Sequence, residues 1–140
     1  MSKVAVVYWS GTGNTQAMAE TLAQGITSAG GEVTLLQASE FSSRDVSLYD
    51  AFAFGCPSMG NEVLEEGEFQ PMWDDVKSQL AGKKVGLFGS YGWGGGIWMT
   101  SWTSEASSLG IQLVNDGVIC CGPMDDETEQ NLLEMAKSLA

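Results

Sequence analysis

The chain is predicted to fold as an α/β protein, a three-layer sandwich with helices on both faces of a parallel sheet. Three observations carry this expectation. Apolar strand-like runs alternate with stretches of helical spacing along the whole sequence. The first run, Lys3 to Trp9, is continuously apolar and rich in valine, as a strand buried on both faces must be. A glycine-rich turn, Ser10 to Gly13, then leads straight into a helical pattern, the beginning of a right-handed strand–helix–strand crossover.

The remaining elements follow in order. From Asn14 to Ala29 the apolar residues Ala17, Met18, Leu22 and Ile26 recur at helical spacing, and Gly30-Gly31 ends the pattern. Val33 to Leu36 reads as the second strand and Ala51 to Cys56 as the third. A polar and acidic loop, Pro57 to Glu68, precedes a helix over Phe69 to Leu80. Val85 to Gly89 is the fourth strand and Ile97 to Leu109 a helix. Ile111 to Cys121 contains the fifth strand. Asp125 to Ala140 is a closing helix with acids in its first turn, where they oppose the helix dipole. No internal repeat or low-complexity tract interrupts the series.

A length of 140 residues predicts one domain over residues 1–140. No apolar run reaches bilayer-spanning length, and Met1-Ser2-Lys3 lacks the zones of a signal peptide, so a cytoplasmic protein is expected. Eighteen acidic against six basic residues give a net charge of −12, which repels nucleic acid and anionic membranes and steers basic protein surfaces inward. Three cysteines, Cys56, Cys120 and Cys121, cannot all pair, and adjacent cysteines bridge poorly. Buried reduced thiols in strands are expected. With no histidine and few thiols, a metal or iron–sulfur site is not expected.

In open parallel sheets ligands bind beyond the carboxyl ends of the strands. The relevant loops are Ser10 to Thr15, Pro57 to Glu62, Ser90 to Gly96 and Gly122 to Asp126. In the first, Ser10, Gly11, Thr12, Gly13, Asn14 and Thr15 lie between strand and helix, where backbone N–H groups and hydroxyls can converge on an anion. The loop holds no lysine or arginine, so it lacks the ending required for a nucleoside triphosphate with Mg²⁺, and no third glycine completes a dinucleotide fingerprint. A neutral cradle of this kind suits one phosphate monoester. The alternative is a plain tight turn with Ser10 or Thr12 as a helix cap.

Two further loops flank the same crevice. Pro57, Ser58, Met59, Gly60, Asn61 and Glu62 follow the third strand, and Ser90, Tyr91, Gly92, Trp93 and Gly94 follow the fourth. They place a thioether and a large aromatic where a flat apolar ligand could sit between them. Trp93, flanked by glycines, is poorly placed for core packing, whereas Trp73, Trp98 and Trp102 suit burial.

The segments Tyr8 to Thr15, Met59 to Glu65 and Gly89 to Gly94 resemble those of short-chain flavodoxins of the clostridial and Megasphaera type, in order and at the expected intervals, and the similarity covers essentially the whole chain. The flavodoxin fold, with FMN at its switch point, is itself a standing example of ligand binding at the carboxyl edge of an open sheet. The resemblance implies a five-stranded parallel sheet of order 2-1-3-4-5 and FMN as cofactor. Ser10, Thr12, Asn14, Thr15 and the loop amides would hold the phosphate. Met59 and Trp93 would cover the two flavin faces, Glu62 would accept from the flavin N3-H, and Ser90 would lie near the ribityl chain. Backbone groups of Gly60, Gly92 and the loop of Gly122, Pro123 and Met124 would meet the polar ring edges. That last loop matches the family only approximately, because relatives carry a Pro-Asp or Glu-Pro pair there.

The function so implied is a low-potential one-electron carrier that binds FMN non-covalently and works through its semiquinone and hydroquinone forms. Gly60-Asn61 tolerates positive φ at either residue, so the turn can flip and offer the Gly60 carbonyl to the ring. Glu62, Glu65, Glu66 and Glu68 would disfavour a negative ring. The partners expected are basic-surfaced redox proteins, ferredoxin-type reductases and oxidoreductases, meeting a monomer. The alternative is an FMN-dependent NAD(P)H:quinone reductase-like enzyme of the same fold, for which Arg44, the sole arginine, lies far along the sequence from the predicted ring. A phosphoacceptor receiver would need carboxylates where Trp9-Ser10 and Gly55-Cys56 stand, and a cysteine phosphatase an arginine soon after Cys56.

Overall fold

Valine and phenylalanine runs without polar interruption need partners on both sides, and a parallel sheet between two helix layers provides them. In the computed structural model, which describes residues 2–60, 62–92 and 94–140, the strands are β1 (Lys3–Tyr8), β2 (Glu32–Gln37), β3 (Ala51–Gly55), β4 (Lys84–Tyr91), β5 (Gln112–Leu113) and β6 (Val118–Cys121). The helices are α1 (Asn14–Ser28), α2 (Phe69–Val76), α3 (Ile97–Ser108) and α4 (Asp126–Leu139). The sheet order is β2-β1-β3-β4-β5, with β6 also on β4 and every pairing parallel. The expected order 2-1-3-4-5 therefore holds.

Strand alternation divides the core. Val4, Val6 and Tyr8 face α1 and α4, among Met18, Leu22, Leu132 and Met135. Ala5 and Val7 face the other way with Phe52, Phe54, Trp73 and Trp102, under α2 and α3. The aromatic side is tightly interlocked: Trp102 stands edge-on to both Phe69 and Trp73, at ring-centroid distances of 5.4 and 5.6 Å.

Several boundaries differ from expectation for physical reasons. The fifth strand position is split into β5 and β6 because the run from Ile111 contains a turn at Asn115 to Gly117. The Gly117 N–H donates to Asn115 Oδ1 at 3.0 Å, and Gly117 has φ of 93°. The pattern over Phe69 to Leu80 is an α-helix only to Val76 and finishes as a 3₁₀ turn, Lys77–Gln79. Two further 3₁₀ segments, Ala38–Glu40 and Ser43–Leu48, were not expected; Glu40 and Asp45 accept from the Gln37 and Ser42 N–H groups that precede them. β4 runs to Tyr91, so Ser90 and Tyr91 belong to the strand rather than to the loop after it.

The cysteines are free, as expected, but not uniformly buried. Cys56 and Cys120 are buried and Cys121 is exposed, because β6 is an edge strand whose alternate residues face out.

Candidate functional site

The carboxyl ends of β1, β3, β4 and β6 meet at one edge, and the ladder continues past the strands. Trp9 N–H donates to Gly55 O at 3.0 Å, Cys56 N–H to Phe88 O at 3.1 Å, Ser58 N–H to Ser90 O at 3.0 Å and Gly122 N–H to Tyr91 O at 2.9 Å. These bonds draw the loops around a crevice of about 250 Å³. Gly11, Thr12 and Asn14 line one end of it. Pro57, Ser58, Met59, Ser90, Tyr91, Gly92 and Gly122 line the remainder, together with Trp9. A cleft of about 440 Å³ between α1 and α4 is larger, but it is a groove between polar helix faces, bordered by Gln24, Glu129, Glu134 and Lys137 and touching no strand end. The smaller crevice carries the glycine loop and the aromatic walls, and it is the better site.

At the phosphate end, α1 starts without a side-chain cap on its first-turn amides. Its N-cap is Gly13, left-handed at φ 98°, and the Ser10 hydroxyl accepts from the Gly13 N–H at 3.1 Å. The capping role weighed for Ser10 or Thr12 therefore does not describe this turn: Ser10 shapes the loop, and the helix dipole end points at the crevice without a competing acid. Thr15 is buried away from the opening. Its hydroxyl lies 2.9 Å from that of Ser90 and accepts from the Ser90 N–H at 3.3 Å, which ties α1 to the end of β4.

On the ring side, Met59 and Val63 exchange two backbone hydrogen bonds, of 2.9 and 3.0 Å, and close a tight hairpin. Within it Gly60 has φ of 50° and Glu62 has φ of 57°, the single positive φ outside glycine among the described residues. The Glu62 carboxylate does not line the crevice; Oε1 accepts from the Ile97 N–H at 3.0 Å, at the start of α3, beside Gly94. Pro123 and Met124 also stand off the crevice. The Pro123 carbonyl lies 3.1 Å from Cys120 Sγ, and Met124 packs on the α1–α4 core. Asn61 and Trp93 lie outside the described residues.

Glu65, expected as one of four charges near the ring, has a local task. Its carboxylate accepts from the Gly67, Glu68 and Phe69 N–H groups at 2.6, 2.8 and 2.8 Å and so caps the approach to α2. Partial burial pushes its carboxyl upward, and the three N–H donors outweigh that and hold it below the usual carboxylate range. Beneath it, the Glu65 N–H donates to Cys56 Sγ at 3.3 Å. Burial pushes the Cys56 thiol up to about 12 against that bond, so it stays protonated.

Sequence reasoning did not include Trp9 in the site. The apolar run makes it the last residue of the first strand, whereas β1 ends at Tyr8 and the half-buried indole packs under the glycine loop: a Cβ on Gly11 would come within 3.1 Å of it. The available signal was its position one residue past the strand, next to the glycine turn.

The donor set fits a flat ring bearing one phosphate. Backbone amides and hydroxyls at a helix start can bind an anion, an apolar slot walled by Trp9, Met59 and Tyr91 can take a ring, and among the described residues no basic one lines either. An open parallel sheet with this pairing of cradle and slot defines a mononucleotide-cofactor protein of the α/β class. The flavodoxin family model matches residues 6–136, and the chain belongs to the flavodoxin family. It is 42% identical to the flavodoxin of Clostridium beijerinckii over 135 residues, covering 96% of this chain and 97% of that one. It is 41% identical to that of Megasphaera elsdenii over 116 residues, 83% of this chain and 85% of that one. The solution structure of two-electron reduced Megasphaera elsdenii flavodoxin superposes with a TM-score of 0.86 at 39% identity, over 96% of this chain and 98% of that one. As a flavodoxin, the chain binds FMN and is an electron-transfer protein rather than an enzyme; the quinone reductase alternative is not favoured. No described helix is long and apolar enough to cross a membrane.

Proposed function

We propose that this flavodoxin is a single-domain, monomeric, cytoplasmic carrier that exchanges one electron at a time at low potential with basic-surfaced redox proteins, ferredoxin-type reductases and oxidoreductases among them. Bound FMN supplies reversible one-electron chemistry, and the chain's residues tune it. The α1 amides, with Ser10, Thr12 and Asn14, hold the phosphate, and Thr15 acts through Ser90 to fix the loop. Met59 and Trp93 cover the ring faces, joined by Trp9 and Tyr91. The Gly60 carbonyl faces its polar edge, with Gly92 and Gly122 on the rim, while Glu62, Gly94, Pro123 and Met124 stand behind that rim and support it.

The observation that carries the low potential is electrostatic. The carboxyl edge of the sheet holds Glu62, Glu65, Glu66, Glu68, Asp125, Asp126, Glu127 and Glu129, while Lys3, Lys83 and Lys84 stand at or beside the starts of β1 and β4, at the opposite edge. Lys77 is occupied by Asp74 and Glu105 at 3.0 and 2.9 Å. Negative charge added to the crevice therefore meets acids that no basic side chain pairs with among the described residues, and a basic partner is steered to that same edge. A stepwise redox titration with varied salt tests both points. The second electron should enter at a much lower potential than the first, and transfer to a basic partner should slow as ionic strength rises. A single two-electron step, or salt-independent transfer, would contradict the proposal.

A further inference from the structure

Glu62 combines three features that no single local cause explains. Its backbone is left-handed, with φ of 57°, a conformation that is costly for a non-glycine residue. Its carboxylate lies flat on Gly94: a Cβ there would sit 2.7 Å from both Cδ and Oε1 and 3.0 Å from Oε2. And Oε1 accepts from the Ile97 N–H across 35 positions of sequence. α3 otherwise begins bare, with Gly96 at its N-cap, no side-chain cap from that residue and no acid in its first turn. The strained backbone aims the carboxylate, and the missing side chain at Gly94 admits it.

We propose that Glu62 is a positioning residue, a latch that caps α3 from a distance and holds the 59–63 hairpin against the 94–97 segment, so that the mouth of the crevice is set before cofactor enters. The latch itself is a property of the apoprotein; its consequence for FMN rests on the assignment of the crevice to the flavin ring. Oε2 has no hydrogen-bond partner among the described residues, so the latch engages the carboxylate through Oε1 alone.

The latch predicts behaviour that a contact to ligand alone does not. Gly94→Ala keeps the carboxylate but displaces it, and at φ of 85° also strains its own backbone, so adding Glu62→Ala to it should bring no further change, because the bond is already broken. Glu62→Gln retains an acceptor oxygen and should keep the latch.

The test is amide hydrogen exchange at Ile97 in the apoprotein, read by NMR, with the β4 amide of Leu87 as a control for global unfolding, alongside the rate of FMN association by flavin fluorescence. Ile97 should exchange about tenfold faster in Glu62→Ala, in Gly94→Ala and in the double variant, with Glu62→Gln close to the parent and Leu87 unchanged. FMN association should slow in the same variants. Unaltered Ile97 exchange in Glu62→Ala, or additive effects in the double variant, would overturn the latch. Faster exchange with unchanged FMN association would overturn its role in the crevice. Parent protein that binds no FMN would instead defeat the assignment of the crevice, leaving the exchange result to judge the latch alone.

Discussion

The two ends of the crevice are built by opposite means. The phosphate end is braced by bonds between protein groups: the Thr15 and Ser90 hydroxyls, 2.9 Å apart and buried, and the Ser10 hydroxyl that accepts from the Gly13 N–H. The ring end is held from the side, by a hairpin of two backbone bonds and by one carboxylate on a strained residue. A phosphate carries nearly the same charge whatever the ring's oxidation state, so its cradle gains from rigidity. The ring changes its charge and its hydrogen-bonding pattern, so its surroundings gain from a glycine that can rotate and acids that respond to charge. On the proposed assignment the difference separates binding from tuning: the first region would set affinity and the second potential.

The largest effect should come from the base that both ends share. Gly89 passes so close to the end of β3 that a Cβ would overlap the Cys56 carbonyl oxygen. Gly89→Ala should cost about 3 kcal/mol or more in urea denaturation of the apoprotein, because the obstacle is backbone and cannot turn aside. A loss under about 1 kcal/mol would mean that the two strand ends can separate, and that the ends of the crevice are less coupled than described.

Thr15→Val sharpens the comparison at the phosphate end. It strands the buried Ser90 N–H and hydroxyl, so apoprotein stability should fall by about 1–3 kcal/mol and FMN affinity with it, while the potentials of the protein still loaded should stay put. A shift in potential with unchanged affinity would reverse the assignment of the two regions.

Gly60→Ala does the converse at the ring end. At φ 50° a side chain penalises one of the turn's states, and the separation between the two reduction potentials should narrow by tens of millivolts, on the scale at which about 59 mV is roughly 1.4 kcal/mol for one electron. FMN affinity for the oxidised protein should change little. An unchanged separation in redox titration would rule out the rotating turn.

The smallest effect concerns Glu65, whose carboxyl is held below its ordinary value in the folded protein. The unfolded chain takes up the proton first, so this stabilisation is present above the ordinary glutamate range and is lost as pH falls through the lower folded value. Glu65→Gln should lower stability slightly at neutral pH and flatten the acid limb of a plot of stability against pH. A steeper limb would show that the carboxyl is not held down by the turn amides.

The fold was legible because its signals are local. The Val4 to Tyr8 run and the Ala51 to Gly55 run have no polar residue to contradict burial, and the glycine turn fixes where the first crossover begins. The split of the fifth strand was hidden by the apolar residues on either side of Asn115 to Gly117, which keep the run continuous in composition while the backbone turns. The phosphate loop was visible as a motif, but its support was not, since Thr15 finds Ser90 75 residues away. Glu62 is the sharpest case. Its presence beside the ring was expected from resemblance, whereas its bond to Ile97 depends on a left-handed backbone and on the bare Cα of Gly94, neither of which a sequence pattern encodes.

The central claim is that an uncharged anion cradle and an adjoining apolar slot act together on one phosphorylated ring. The most direct measurement is a parallel titration of apoprotein with FMN and with riboflavin, which lacks the phosphate, followed by flavin fluorescence. FMN should bind tightly, one per chain, with its emission quenched by the aromatic walls, and riboflavin should bind far more weakly. Equal affinity for the two, or emission unchanged by the protein, would contradict the account.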